Sequence, residues 1–372
     1  MEKLEALAHA TAMLASVFPS VSDSEFRLSN LWMECHMLLP QVQAVLSRCN
    51  AADLDIPSDF IPVMCACGRY LLERRSFDDA ESMFIAAKQA CKAHGLQNWE
   101  QAQFVQRSLA GIILESSVFR CDEAINILQD VVDHYQKSRD PNDPVLGVTY
   151  SDLAQAFTAR GDFDQGISLC EKALDIVTKI EDKGKRRDTL FHVHHNMGRI
   201  YEMKGIPDEA LRLHLFEGDP HGNGLRQEQS VYGAWNLYAV GNCLQLQKDP
   251  RAIETHAKAL QIREDLLGDH YFTAMSYHKL GELYLEGQSF HEASDAFEKA
   301  HDILEIPSAK TKAELARTAW YWSSAKEGMH DVFEARKLRD KAICIGTELL
   351  RPRKVEKWVD KEFDNLVVYY NR

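Results

Sequence analysis

Long apolar runs are missing from this 372-residue chain. None approaches the roughly 18 residues a membrane-crossing helix requires, so no spanning segment is expected. An excess of positive charge is missing too. Lys and Arg number 43 against 56 Asp and Glu, a net charge of −13. A nucleic-acid partner needs a basic stripe to displace counterions, and an anionic membrane surface needs basic clusters, so neither partner is expected. The nine cysteines never form a CxxC pair; Cys65-Ala66-Cys67 is CxC on an expected helix. They read as reduced thiols, and a cytoplasmic chain is the expectation. Met1-Glu2-Lys3-Leu4-Glu5 is acidic where a secretory signal would be basic. There is no GxxxxGK[ST] loop to cradle a phosphate, no GxSxG nucleophile turn and no HxxxH zinc pair, so no cofactor and no metal are expected.

What is present is a repeat. Leu280-Gly281-Glu282-Leu283-Tyr284 is followed twelve residues after Gly281 by Ala293, and the pattern recurs along most of the chain. Gly68 pairs in this way with Ala80, Ala154 with Gly166, Gly198 with Ala210 and Ser323 with Ala335. Ala110 to Ala124 is slightly longer, and Gly241 to Ala252 slightly shorter. Two helices joined by a tight turn approach closely only where side chains are small, which accounts for a small residue on each. A large residue follows each anchor by three positions: Leu71, Ile113, Phe157, Tyr201, Leu244 and Tyr284. Turn signals fall between the helices at Gly161-Asp162, Gly205-Ile206-Pro207, Asp249-Pro250 and Gly287-Gln288.

Successive anchors lie 40 to 44 residues apart, more than the about 34 of the minimal tetratricopeptide unit. The chain resembles long-helix tetratricopeptide repeats of the kinesin-light-chain type, and Arg263-Glu264-Asp265-Leu266-Leu267-Gly268-Asp269-His270 is similar to their linker. Phe18-Pro19, Trp32-Met33-Glu34-Cys35-His36-Met37-Leu38-Leu39-Pro40 and the terminal Phe363-Asp364-Asn365-Leu366-Val367-Val368-Tyr369-Tyr370-Asn371-Arg372 resemble the repeat tail of fungal NACHT/NB-ARC receptor-like proteins. The phosphate-binding loop of those receptors does not occur, so their ATPase role is not carried over. The resemblance implies an all-α, right-handed superhelical solenoid of about seven helix pairs. Residues 1–58 are expected as an N-terminal helical cap, 59–347 as the repeat array and 348–372 as a closing helix, because the ends of such an array need covering.

In the tetratricopeptide pattern the first helix of each pair lines the inner surface. The resemblance thus implies a ligand groove that includes Arg69, Arg107, Gln155, His192, Arg199, Trp235, Asn242, Met275 and Trp320. It is mixed in sign and partly aromatic, which suits a peptide or a mostly apolar small molecule. Acid–base candidates on the same surface are His195, Tyr238, His278 and Glu282; His278 stands one turn before Glu282, as an oriented proton-transfer pair would. His192 and His195 share a helix face, with Glu202, or His278 and Glu282, as further donors, but the spacing matches no zinc motif. His194 is expected to pack between helices. Asp182-Lys183-Gly184-Lys185-Arg186-Arg187-Asp188 reads as a solvated linker. The repeat breaks at 217–224, through Glu217, Gly218, Pro220, Gly222 and Gly224, and a loop is expected there.

Two functions fit these features. One is a scaffold that binds a peptide or protein partner in its groove. The other is an enzyme or ligand-binding protein of fungal secondary metabolism that uses the same surface for acid–base chemistry on a small molecule.

Overall fold

The structure, a computed structural model, describes residues 2–19, 31–215, 230–305 and 311–368. The expected loop at 217–224 lies outside the described residues. Among those described, seventeen α-helices and no strand occur. No helix among them is long and apolar enough to cross a membrane. The fold is an all-α helical repeat in which seven helix pairs follow one another, in the order the small-residue anchors predict.

Contacts divide the chain into two compact units, residues 1–115 with 122–140, and residues 116–121 with 141–372. The first holds α1 (Glu2–Val17), α2 (Trp32–Ala52), α3 (Ile61–Glu73), α4 (Phe77–Ala93) and most of α5 (Glu100–Ser116) and α6 (Cys121–Ser138). Its core gathers Phe60, Ile61, Met64, Phe77 and Phe84, all at most 1% exposed. Trp32 donates its indole N–H to Glu73 at 2.9 Å, tying α2 to α3.

The second unit holds α7 (Pro144–Arg160) with α8 (Phe163–Lys179), α9 (Lys183–Met203) with α10 (Pro207–His214), and α11 (Val231–Leu246) with α12 (Arg251–Leu267). The next pairs are α13 (Tyr271–Glu286) with α14 (Phe290–Leu304), and α15 (Lys312–Gly328) with α16 (Val332–Leu350). Residues after α16 are irregular until the short α17 (Asp360–Asp364), where Phe363 is fully buried between Trp320 and Trp358, each ring 4.7 Å away. Within this unit first helices also touch one another, α7 with α9, α9 with α11 and α13 with α15.

The turn inside six of the seven pairs has one recurring geometry. Seven residues after the anchor the backbone enters the left-handed region, at Arg75, Gly161, Gly205, Lys248, Gln288 and His330, with φ between 58° and 96°. The next amide then donates back five positions: Ser76 to Leu71, Asp162 to Phe157, Ile206 to Tyr201, Asp249 to Leu244, Ser289 to Tyr284 and Asp331 to Lys326, each at 2.8–2.9 Å. These bonds satisfy carbonyls that the helix end would orphan. Only two of the six left-handed positions are glycine, so the other four side chains bear a backbone penalty that the pairing of the helices imposes.

The anchor glycines have a sharper role than small size alone. A Cβ on Gly281 would sit 2.7 Å from the Phe297 ring, and one on Gly68 2.7 Å from Phe84. The corresponding rings over Gly198 and Gly241 belong to His214 and His256, at 2.5 and 2.6 Å. The partner alanines, Ala80, Ala210, Ala252, Ala293 and Ala335, are at most 3% exposed.

Three substitutions test this account by urea unfolding. Gly281→Leu destabilises by about 1–3 kcal/mol, the usual cost of overpacking. Gly111→Ala, whose Cβ meets nothing within 4 Å, stabilises by about 0.5–1 kcal/mol through helix propensity. Gln288→Gly, at an exposed left-handed position, gains about 1 kcal/mol.

Candidate functional site

Polar side chains on the first helices of the second unit meet across successive pairs at the repeat spacing. Asn196 on α9 donates to Ser151 Oγ on α7 at 2.8 Å and accepts from Gln155 at 2.5 Å. His192 Nε2 bonds Asp152 at 3.0 Å. Gln245 on α11 donates to Glu286 on α13 at 2.9 Å. Tyr271 on α13 donates to Glu314 on α15 at 2.7 Å. The rungs orient side chains that a free helix surface would leave mobile.

Rings continue the same layer. His195 lies between Phe191 and Trp235, stacked at centroid distances of 6.1 and 6.2 Å, and Trp235 meets Phe272 edge-on at 5.3 Å. Trp235 is half-buried. Two turns further along the same helix, Asn242 is 7% exposed, and its Oδ1 is buried without a hydrogen-bond partner. An unmet buried acceptor of this kind costs about 1–3 kcal/mol, so a donor placed there gains at that oxygen.

The other groove and acid–base candidates separate into distinct places. Arg69 and Arg107 are half-buried in the first unit, with the Arg69 guanidinium 5.4 Å from the Phe104 ring centre. Met275 is 2% exposed and belongs to the packing beneath the surface. Trp320 donates its indole N–H to Asp360 at 2.7 Å. Tyr238 is buried, edge-on to His256 at 5.1 Å, with the Arg263 guanidinium 4.6 Å over its ring. His194 is half-buried, and desolvation lowers it to about 4, as a residue packed between helices requires.

His278 and Glu282 do meet, at 3.2 Å, and both are buried. Burial alone would raise the Glu282 carboxyl, but Arg317 at 2.5 Å, Lys279 at 2.6 Å and His278 hold it well below the ordinary range. Arg317 is fixed in turn by Asp364 at 2.7 Å, which Tyr321 also reaches. Desolvation, aided by Arg317, lowers His278 to about 4. An ionised Glu282 only accepts, so the neutral imidazole donates from Nε2 and accepts the Thr318 hydroxyl at Nδ1, 2.9 Å away. Every polar atom of the pair is therefore engaged in holding α13 to α15 and to the chain end.

Glu202 meets partners that the sequence reading did not anticipate. It is bonded to Arg199 one turn before it, and its Oε1 lies 2.9 Å from His214 Nε2 and 3.7 Å from Cys243 Sγ. The three side chains present one nitrogen, one sulfur and one carboxylate oxygen within 4.8 Å of one another. His214 and Cys243 escaped notice because they look like interchangeable packing residues. The available signal was a glutamate at Glu202, four positions after its anchor, where three other pairs place Leu72, Leu114 and Leu285.

The family model of the tetratricopeptide repeat matches residues 110–179, 148–215 and 233–306. The chain is 26% identical over 222 residues to the outer membrane protein YopN of Yersinia enterocolitica, which covers 55% of this chain and 75% of that protein. Among solved structures it is similar in fold to NprR in complex with its cognate peptide NprX, with a TM-score of 0.59 at 15% identity, over 85% of this chain and 84% of that one. It is also similar to the Rap conjugation gene regulator of plasmid pLS20 in complex with the Phr* peptide, with a TM-score of 0.57 at 16% identity, over 83% and 80% of the two chains.

The buried histidines set an acid limit on stability. Desolvation first, then nearby cations, lowers His256 to about 3 and His278 to about 4, against 6.5 in an open chain. Between about pH 6.5 and 4 the unfolded chain binds protons that the folded chain refuses. Their contribution is complete above pH 6.5 and is lost as the pH falls toward 4. Urea unfolding therefore weakens across this window. His256→Phe, which copies the ring Phe297 lays over Gly281, makes the slope shallower by about 1.4 kcal/mol per pH unit, the value for one proton.

Proposed function

We propose that this chain is a cytoplasmic interaction module that binds an extended peptide or protein segment along the first-helix layer α7–α15. The observation that carries the reading is the site at Trp235 and Asn242. A half-buried indole stands two turns before a buried amide oxygen that has no donor, on the same helix. A peptide backbone supplies an N–H at each non-proline residue, and its side chains supply apolar groups for the indole, so one ligand class meets both needs. The rungs at Ser151, Gln155, His192 and Asn196 continue the polar surface in register. The likeness to NprR and Rap structures holding peptides supports this reading. Gln155, His192, Trp235 and Asn242 are the contact residues we assign; Arg199, Met275 and Trp320 back them from positions tied into the fold. Kinship with the repeat tails of fungal receptor-like proteins is part of this reading and rests on the terminal segments.

The test is selection of extended peptides by the full-length chain, followed by calorimetry on an enriched sequence. Asn242→Ala and Trp235→Ala each weaken binding about tenfold or more, equivalent to about 1.4 kcal/mol. Lys258→Ala, on the exposed side of α12, leaves it unchanged. If no peptide is enriched, or if both groove variants bind as tightly as the parent, the reading fails.

A further inference from the structure

Three helices of the second unit deliver donors to one buried point. Glu202 closes α9, His214 closes α10 and Cys243 lies within α11. Their side chains are secluded: that of His214 is 0% and that of Glu202 7% exposed, and Cys243 is fully buried. The ring over the anchor glycine is Phe84 or Phe297 in two other pairs, His256 in the next pair and His214 here, and of the two histidines only His214 meets a carboxylate. The position of Cys243, two residues after its anchor, holds buried Tyr70, Ile112, Ile200 or Leu283 in four other pairs and buried Ala156 or Ala325 in two. The position of Glu202, four after its anchor, holds Leu72, Leu114 or Leu285 in three other pairs. A glutamate recurs there only as Glu327, which bonds Arg339 at 2.6 Å with both side chains partly exposed. A carboxylate–cation pair is thus available to this repeat without histidine or thiol. What is added here is a ring nitrogen from the fourth pair and a sulfur from the fifth, aimed at the same oxygen.

We infer that Glu202, His214 and Cys243 form a binding site for a zinc-type divalent metal ion. Thiolate, imidazole and carboxylate together are the donor set that zinc favours. Tetrahedral zinc with bonds of about 2.0–2.3 Å separates an N and an O donor by about 3.3 Å, and an S and an O donor by about 3.6 Å. The separations here are 2.9 and 3.7 Å, so small side-chain shifts admit the ion. His214 Nδ1, buried and without a partner, takes up the ring hydrogen when Nε2 turns to the metal. The Cys243 thiol, held protonated by burial and by Glu202, releases one proton to solvent as its sulfur coordinates. Arg199 remains on the second carboxylate oxygen, where it orients the ligand as outer partners of metal sites do. Water completes the fourth position. The ion joins α9, α10 and α11, the helices that flank residues 216–229.

The test uses the chelator-stripped full-length chain, without a histidine tag, titrated with Zn²⁺ and with Co²⁺. One equivalent binds, Co²⁺ gives a thiolate charge-transfer band, and Zn²⁺ raises the melting temperature. His214→Phe and Cys243→Leu, each a residue that the repeat uses at that place, abolish the band and weaken Zn²⁺ binding at least about 100-fold, the upper end of what outer-partner losses produce. His256→Phe and Cys344→Ser keep the band. Should either ligand variant unfold, zinc-edge absorption of the parent protein decides instead. One sulfur with nitrogen and oxygen neighbours supports the site. A shell of nitrogen and oxygen alone, an absent band, or a band that survives both ligand variants overturns it. Peptide binding is read separately, so its failure leaves this inference standing.

Discussion

Four of the seven helix pairs are held together by a ring pressed onto a bare stretch of backbone. Gly68 under Phe84 and Gly281 under Phe297 bring the helices so close that a methyl group has no place between them. That approach fixes the turn as well. The chain has few residues in which to reverse, and it does so through one left-handed position whether or not a glycine is there. Arg75, Lys248, Gln288 and His330 show which demand prevails. Packing over an entire interface outweighs a local backbone cost of about 1–2 kcal/mol.

Because the pairs repeat, their polar groups also repeat, and the same register joins one first helix to the next. Some rungs stay near the surface, such as Asn196 with Ser151 and Gln155. Others are sealed, such as His278, Glu282, Lys279 and Arg317. Burying a lone carboxylate costs several kcal/mol, and this one is tolerated because three nitrogen donors surround it. The same seclusion that makes the cluster permissible fixes its protonation states. It therefore ties α13 to α15 and to the chain end.

Much of this was legible in the residues. The anchor spacing located every helix pair, and the large residue three positions later marked the acceptor of five of the six turn bonds. His278 and Glu282 were paired correctly because one helical turn places them together whatever surrounds them. His192 is different: it looked like half of a metal pair with His195, but it turns to Asp152 while His195 stacks between rings. Those two residues share a helix face, yet each answers to a different neighbouring element.

Periodicity belongs to the chain itself, because every helix must bury one face and every close approach needs a small residue. The order of the elements, their pairing and the polar rungs at a distance of one repeat follow from it. Convergence does not. Glu202, His214 and Cys243 are separated by 12 and 29 positions, and Arg317 meets Asp364 across 47. Only the stacking of three helices brings the first set to one point, and only the return of the chain end places Asp364 against Arg317. Whether a buried histidine is a packing ring, a hydrogen-bonded strut or a ligand depends on what the next helix puts in front of it, and that is a property of tertiary structure alone.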